Sequence, residues 1–202
     1  MPKETFFNLE KSKRDQIFEA CVDEFAANPF SSASINQIIK NANISRGSFY
    51  QYFNDKEDCY MHVIQEIAKV KMDFLRHAST KEGTDLFESL FYMIDQTLLW
   101  IEKQPKYYAI GFWMDYDDSE FIQKLINNNQ QSMDLFRALI QKDIDKGIIR
   151  KDIDVDILIH MLMSINKDIL IKAFKERDFE KVRIQFQQTL DILKKGATHV
   201  SS

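Results

Sequence analysis

The chain has 202 residues, enough for one large or two smaller domains that bury roughly two thirds to three quarters of their unfolded surface without a disulfide or metal staple. With 27 Lys and Arg against 31 Asp and Glu, it lacks the bulk positive charge that holds nucleic acid non-specifically, so any DNA contact must come from locally placed groups. Five Gly and three Pro among plentiful Ile, Leu, Phe and Met exclude a sheet of many short strands and imply a nearly all-α fold.

Cys21 and Cys59 have neither CxxC spacing nor nearby His pairs, which argues for buried thiols rather than a zinc or redox site, so no metal or cofactor is expected. No run approaches the roughly 18 apolar residues of a membrane span. The opening MPKETFFNLEKSKRDQ has no apolar secretion core, so the expected location is the cytoplasm, away from any membrane.

The first predicted helix runs from about Glu10 to Ala27, with Ile17, Cys21 and Phe25 at i, i+4 and i+8 and Phe18 and Val22 widening the stripe. Asn28-Pro29 ends it, because a residue before proline is pushed out of helical geometry. Ser34 opens a second helix as N-cap, Gln37 completes a capping box, and Ile35, Ile38, Ile39 and Ala42 form the buried face. After the turn Asn41-Ala42-Asn43-Ile44, Ser45 caps a third helix reaching about Phe53. Phe49 and Phe53 point with Ile44 to a small core; Gly47, Tyr50 and Gln51 lie opposite. A helix this short cannot stand alone in water, and three such helices with one polar outer face describe a helix-turn-helix unit. Across 29–56 the charge is locally positive, with Lys40, Arg46 and Lys56 facing only Asp55.

Asp55 begins a long fourth helix to about His77, with Tyr60, Val63, Ile64, Ile67, Val70 and Phe74 on one side. A fifth runs from about Asp85 to Lys103 and stops at Gln104-Pro105, and a short sixth spans about Lys106 to Met114. A loop at Asp115 to Asp118 precedes a seventh helix, continuous from about Ser119 to Lys146, with Gly147 as its C-cap. The eighth, about Val155 to Lys175, is apolar around much of its circumference and so is central or used on two sides; a ninth covers Phe179 to Lys195. The expected architecture is about nine helices, with a helix-turn-helix DNA-binding domain over 1–56 and a ligand-binding and dimerisation domain over 57–202.

The segment INQIIKNA, the run ISRGSFYQYF and the following NDKED resemble the TetR family of bacterial transcriptional regulators over residues 10 to 62. Ser45-Arg46-Gly47-Ser48-Phe49-Tyr50, with Phe53 and Lys56, matches that family's most diagnostic segment. The chain departs from it at Asn28-Pro29-Phe30, where a Gly usually ends the first helix, and at Ser34, where Thr is common. The resemblance implies a regulator that binds a pseudo-palindromic operator as a homodimer, represses, and is released by a small inducer.

It also implies that Arg46, Gly47, Ser48, Tyr50, Gln51, Tyr52 and Lys56 face DNA, and the chemistry agrees. Arg46 can fork onto a guanine edge and Gln51 can read adenine. Gly47 lets the backbone come close, while Ser48, Tyr50 and Lys56 suit phosphate oxygens. Ser34 and Ser45 serve as caps and can also offer hydroxyls to phosphates. Tyr52 either faces DNA or is half-buried against the fourth helix.

For the ligand, the aromatic cluster Phe74, Phe91, Trp100, Tyr107, Phe112, Trp113, Tyr116, Phe121 and Phe136 is either core or the lining of an inducer pocket, and His160, like Asn166, either hydrogen-bonds a ligand or satisfies the dimer core. It suggests a hydrophobic, aromatic or acyl ligand; Asp115, Asp117 and Asp118 admit a cationic one, or form a solvated loop that caps the next helix. The dimer candidates are Ile159, Leu162, Met163, Ile169 and Leu170 of the eighth helix with Phe186 and Leu190 of the ninth.

An enzyme is disfavoured, since His62, His77, His160 and His199 are scattered with no HExxH, GxSxG, P-loop or GxGxxG motif, and no catalytic residue is assigned. The remaining rival is a helical co-regulator that acts through a protein partner without touching DNA, a reading that the net acidity sustains.

Overall fold

The computed structural model describes residues 1–76, 85–127 and 131–198. Eleven α-helices form there: α1 Glu4–Phe7, α2 Lys11–Ala27, α3 Ile35–Asn41, α4 Arg46–Tyr52, α5 Lys56–Arg76, α6 Leu86–Lys103, α7 Pro105–Met114, α8 Glu120–Asn127, α9 Gln131–Asp145, α10 Val155–Glu176 and α11 Phe179–Ala197. The all-α expectation holds, and the nine predicted helices become eleven for two reasons. One is α1, which no periodicity announced. The other is that the expected seventh helix is present as α8 and α9; residues 128–130 between them lie outside the described residues.

The chain packs as two compact units, Met1–His77 with Gln104–Asn128, and Ala78–Lys103 with Asn129–Ser202. In the first, Ile17, Cys21, Val22 and Phe25 of α2 meet Ile38 of α3, Phe49 of α4 and Tyr60 and Val63 of α5, each at most 2% exposed. Ile35, Ile39 and Ile44, expected in the same core, are half-buried; α3 has seven residues and turns only one stripe fully inward, and Ile44 lies in the turn beyond it. The thiols of Cys21 and Cys59 are free and buried, with sulfurs 3.2 Å apart.

Local backbone chemistry sets the turns of this unit. Asn43 takes φ 47°, the left-handed conformation that asparagine tolerates better than most residues, and so stops α3 and aims the chain into α4. Ser45 caps α4 by accepting from Ser48 N–H at 3.0 Å. Ser34 caps α3 through Gln37 N–H, but the predicted capping box does not close. The Ser34 N–H instead donates to buried Glu24 at 2.7 Å, and the Gln37 amide reaches Asn41. Pro29 ends α2 as expected, and Phe30 just beyond it packs on Tyr60 and Phe121, with ring centres 5.1 and 4.6 Å away.

In the second unit, Leu86, Leu90, Leu98 and Ile101 of α6 pack with Ile159, Leu162 and Ile169 of α10 and Phe186 and Leu190 of α11. Buried Asp143 accepts from Leu86 N–H at 2.6 Å, which satisfies the start of α6 from α9. Gly147 has φ 72° beyond α9, the left-handed residue that the sequence placed there. Lys194 pairs with Asp85 at 2.5 Å and Arg183 with Asp95 at 2.6 Å, fastening α11 to α6 and to the residue before it.

Candidate nucleic-acid interface

Helix α4 is the outer helix of the three-helix core. Its inward stripe is Phe49, which is fully buried and followed by equally buried Phe53, so the other sides of the helix face away. Ser45, Arg46, Gly47, Tyr50 and Gln51 are exposed, while Ser48 and Tyr52 are half-buried. Arg46 is steadied by a 3.0 Å hydrogen bond to Asn36 of α3 and stands 5.8 Å from the Tyr50 ring centre. Ser48 shares its hydroxyl with Ser45 at 2.8 Å. A Cβ built on Gly47 would meet only the Ser45 hydroxyl oxygen, at an ordinary 3.7 Å. Among the described residues, nothing requires glycine there.

Both ends of this short helix are held from elsewhere. Lys13 of α2 reaches across to the carbonyls of Ala42 and Asn43 at 3.2 and 3.3 Å, fixing the turn before α4. At the far end, Lys3 donates its backbone N–H to Tyr52 O and its ammonium to Tyr50 O, both at 2.8 Å, and the Thr5 hydroxyl donates to Gln51 O. These donors satisfy carbonyls that the last turn of a helix leaves open, and cations are favoured at that end of the dipole. Tyr52 leans on Phe6 of α1, with ring centres 6.1 Å apart, rather than on α5. Sequence reasoning missed α1, Lys3, Thr5 and Lys13; the adjacent pair Phe6-Phe7 in a polar stretch was the available signal.

Lys56, expected on a phosphate, donates to Phe30, Ser31 and Ala33 carbonyls at 2.6, 3.3 and 3.0 Å, and its ammonium sits 4.6 Å from the Phe30 ring centre. All three N–H bonds are therefore engaged with the turn between α2 and α3. Burial lowers its pKa, against the pull of Asp117 and Glu24. Asp117, 3% exposed, accepts from Ser31 N–H at 2.7 Å and Ser119 N–H at 2.9 Å. Burial alone would raise its carboxyl; those hydrogen bonds bring it below the usual carboxylate range. Asp117 is thus a strut between two turns, its charge turned toward Lys56 and two backbone N–H groups within the chain.

The ligand candidates scatter. Trp113 donates its indole N–H to Ala26 O at 2.9 Å, and Phe121 packs on Phe30 and Tyr60, so both brace the first unit. Phe112 touches Tyr116, which is half exposed; Phe74 and Tyr107 are half-buried. In the second unit Trp100 is buried, Phe91 stacks against Phe186 with ring centres 6.4 Å apart, Phe136 is half-buried and His160 is exposed. Of the dimer candidates, Ile159, Leu162, Ile169, Phe186 and Leu190 are buried within one chain, where α10 and α11 pack on α6, and Ile169 also lines a groove between α10 and α11. Leu170 is half-buried and Met163 is exposed. The apolar residues that α10 and α11 show to solvent are Ile157, Met161, Met163, Ile184 and Ile192.

A three-helix core with a turn-linked, outward-facing second helix defines a helix-turn-helix regulator. Residues 17–63 match the family described as bacterial regulatory proteins, tetR family. The crystal structure of a TetR family transcriptional regulator from Chloroflexus aurantiacus J-10-FL superposes with TM-score 0.82 at 31% identity, covering 99% of this chain and 100% of that one. The fatty acid metabolism regulator protein of Bacillus subtilis is 28% identical over 90 residues, which are 42% of this chain and 46% of that protein, so the match spans about half its length. FadR from Bacillus subtilis, solved in complex with stearoyl-CoA, shares the fold with TM-score 0.67 at 18% identity over 90% of this chain and 98% of that one. This chain belongs to the TetR family of bacterial transcriptional regulators. It is accordingly a regulator, not an enzyme.

Proposed function

We propose that the chain is a ligand-responsive repressor that binds a pseudo-palindromic operator as a cytoplasmic homodimer and is released by a small hydrophobic inducer. The observation that carries the reading is the outer face of α4, where Arg46, Gly47, Tyr50 and Gln51 stand exposed and the glycine has no internal purpose. Arg46 and Gln51 are assigned to base edges, and Gly47, Ser48 and Tyr50 to the sugar-phosphate backbone, with Ser34 and Ser45 as caps within reach of it. DNA binding is assigned to residues 1–56, and inducer and dimer roles to 57–202.

One such helix reads too few base pairs for useful specificity, so two copies are required. The exposed stripe Ile157, Met161, Met163, Ile184 and Ile192 suits that contact. So does the Asn166 side-chain oxygen, which is shielded yet has no hydrogen-bond partner within one chain. A long-chain acyl inducer is the favoured class, supported by the fatty acid regulator among the relatives and the acyl-CoA held by a fold neighbour.

Selection of sites from random double-stranded DNA tests the reading. A pseudo-palindrome with half-sites about one helical turn or a multiple apart is expected, and stearoyl-CoA should release it. Absence of any enriched site would overturn DNA binding.

A further inference from the structure

The first unit contains a cleft of about 310 Å³ that the reading above does not use. Phe6 and Phe7 of α1, Phe18 of α2 and Tyr107 of α7 line it, together with His62 of α5. The volume is at the small end of ligand pockets, which run from about 300 to 1,000 Å³ and are mostly apolar with a few placed polar groups. Phe7 is 47% exposed although it is a large apolar ring. That is an open wall, not a finished core.

The polar groups here are unevenly satisfied. His62 is only 7% exposed and is ringed by Phe6, Phe18 and Phe53 at 5.2, 6.0 and 6.3 Å between ring centres. Its imidazole makes no hydrogen bond with any described residue, which leaves its nitrogens to water or to an occupant of the cleft. Burial also holds it below the usual histidine pKa, so it is neutral near pH 7 and offers one donor and one acceptor. Two carboxylates line the cleft and both are already paired, Asp15 with Lys11 at 2.6 Å and Glu66 with Lys69 at 2.5 Å. Arg14, in the same lining, donates to the neutral Phe7 carbonyl at 2.5 Å and has no carboxylate partner among the described residues. Its remaining N–H groups are the cationic donors of the lining.

We propose that this cleft binds a small aromatic carboxylate, with the ring among the phenyl groups, the carboxylate on Arg14 and a polar ring substituent on His62. The occupant would lie against α1, the element whose Lys3 and Thr5 hold the carbonyl end of α4. His62 and Tyr107 fall within the range assigned to the inducer, but this occupant is an aromatic acid held with Arg14 and α1, not the acyl chain proposed above.

Calorimetric titration of the full chain without DNA tests this, using 4-hydroxyphenylacetate and tyramine, which carry the same ring with opposite charge. Saturable binding of the acid is expected, with the amine at least tenfold weaker. Arg14→Gln, which can still donate to the Phe7 carbonyl, should weaken the acid at least tenfold, or about 1.4 kcal/mol. His62→Phe, which keeps an aromatic ring in the cluster, should weaken it too. No saturable binding, equal binding of the amine, or acid binding unchanged in both variants would each overturn the proposal. Because no DNA is present, these results stand apart from the test of operator binding.

Discussion

Gly47→Ala separates folding from DNA recognition, because the two should move in opposite directions. Gly47 lies within α4, its backbone is not in the left-handed region, and the added methyl would meet only the Ser45 oxygen at 3.7 Å. The free protein should therefore gain the ordinary helix preference of alanine over glycine, about 0.5–1 kcal/mol and toward the lower end this close to the helix start. For a chain of this length that raises the melting temperature by about 1–3 °C. On DNA the same methyl stands where the backbone must approach the duplex. Losing one backbone hydrogen bond to a phosphate costs about 1.5–3 kcal/mol, or roughly 10- to 150-fold in affinity. Thermal denaturation of the free protein and fluorescence anisotropy on the selected operator read the two effects separately. A variant that melts lower, or one that binds DNA as tightly as the parent, would show that the glycine serves the fold and would refute the assignment of this face.

The other expectations rest on equally local observations. Asp117→Asn removes a charged acceptor from Ser31 and Ser119 and should destabilise the fold by about 1–3 kcal/mol. Because its folded pKa is depressed, the stability it contributes is present above the ordinary carboxylate value and lost as pH falls below about 4, so acid melts of the variant should flatten there; an unchanged acid limb would refute this. Cys21 and Cys59 should resist a thiol reagent such as DTNB until the protein unfolds, since both are buried and burial raises the Cys59 thiol; prompt labelling of the native protein would contradict it. Ile192→Glu, at a position 72% exposed, should turn the dimer into a helical monomer by light scattering, and a variant that stays dimeric would remove the assigned interface. The logarithm of the binding constant should fall with that of salt by only about two per protomer, because Lys40 and Arg46 are the exposed cations of the first 60 residues not engaged on carbonyls or Asp15. A much steeper slope would mean that Lys13 or Lys56 moves to phosphate.

The fold was readable wherever one periodicity ran long enough. α2, α5, α6, α10 and α11 fall within about two residues of expectation, because stripes such as Ile17, Cys21 and Phe25 repeat over several turns and Pro29 and Gly147 punctuate them. α1 was not readable from periodicity, since four residues carry no period; the Phe6-Phe7 pair was its one signal, and the burial of Phe6 depends on rings distant in sequence. Spacing placed Gly47, Tyr50 and Gln51 opposite the buried Phe49, and the resemblance to the TetR family added Arg46 to that outer face. The roles of Lys56 and Asp117 did not follow from spacing, because a lysine on a carbonyl and a lysine on a phosphate look alike in one dimension. The burial of the dimer candidates was not readable for a related reason: α10 is apolar on several sides, so composition could not say that Ile159, Leu162 and Ile169 are buried within one chain while Met161 and Met163 are exposed.

The net acidity of the chain has a structural answer. α4 has seven residues and cannot hold its own position, so the surrounding chain must fix it. Lys13 fixes its beginning, Lys3 its end, and Lys56 the turn that leads into α3, and each does so through backbone carbonyls instead of carboxylates. Those lysines thus bring charge near the DNA-facing surface while their donors are occupied in setting geometry. On the function proposed above, recognition depends less on the number of phosphates neutralised than on the placement of Arg46, Gly47 and Gln51, so a disturbance of α1, the Asn43 turn or the Lys56 strut should weaken operator binding before it lowers overall stability.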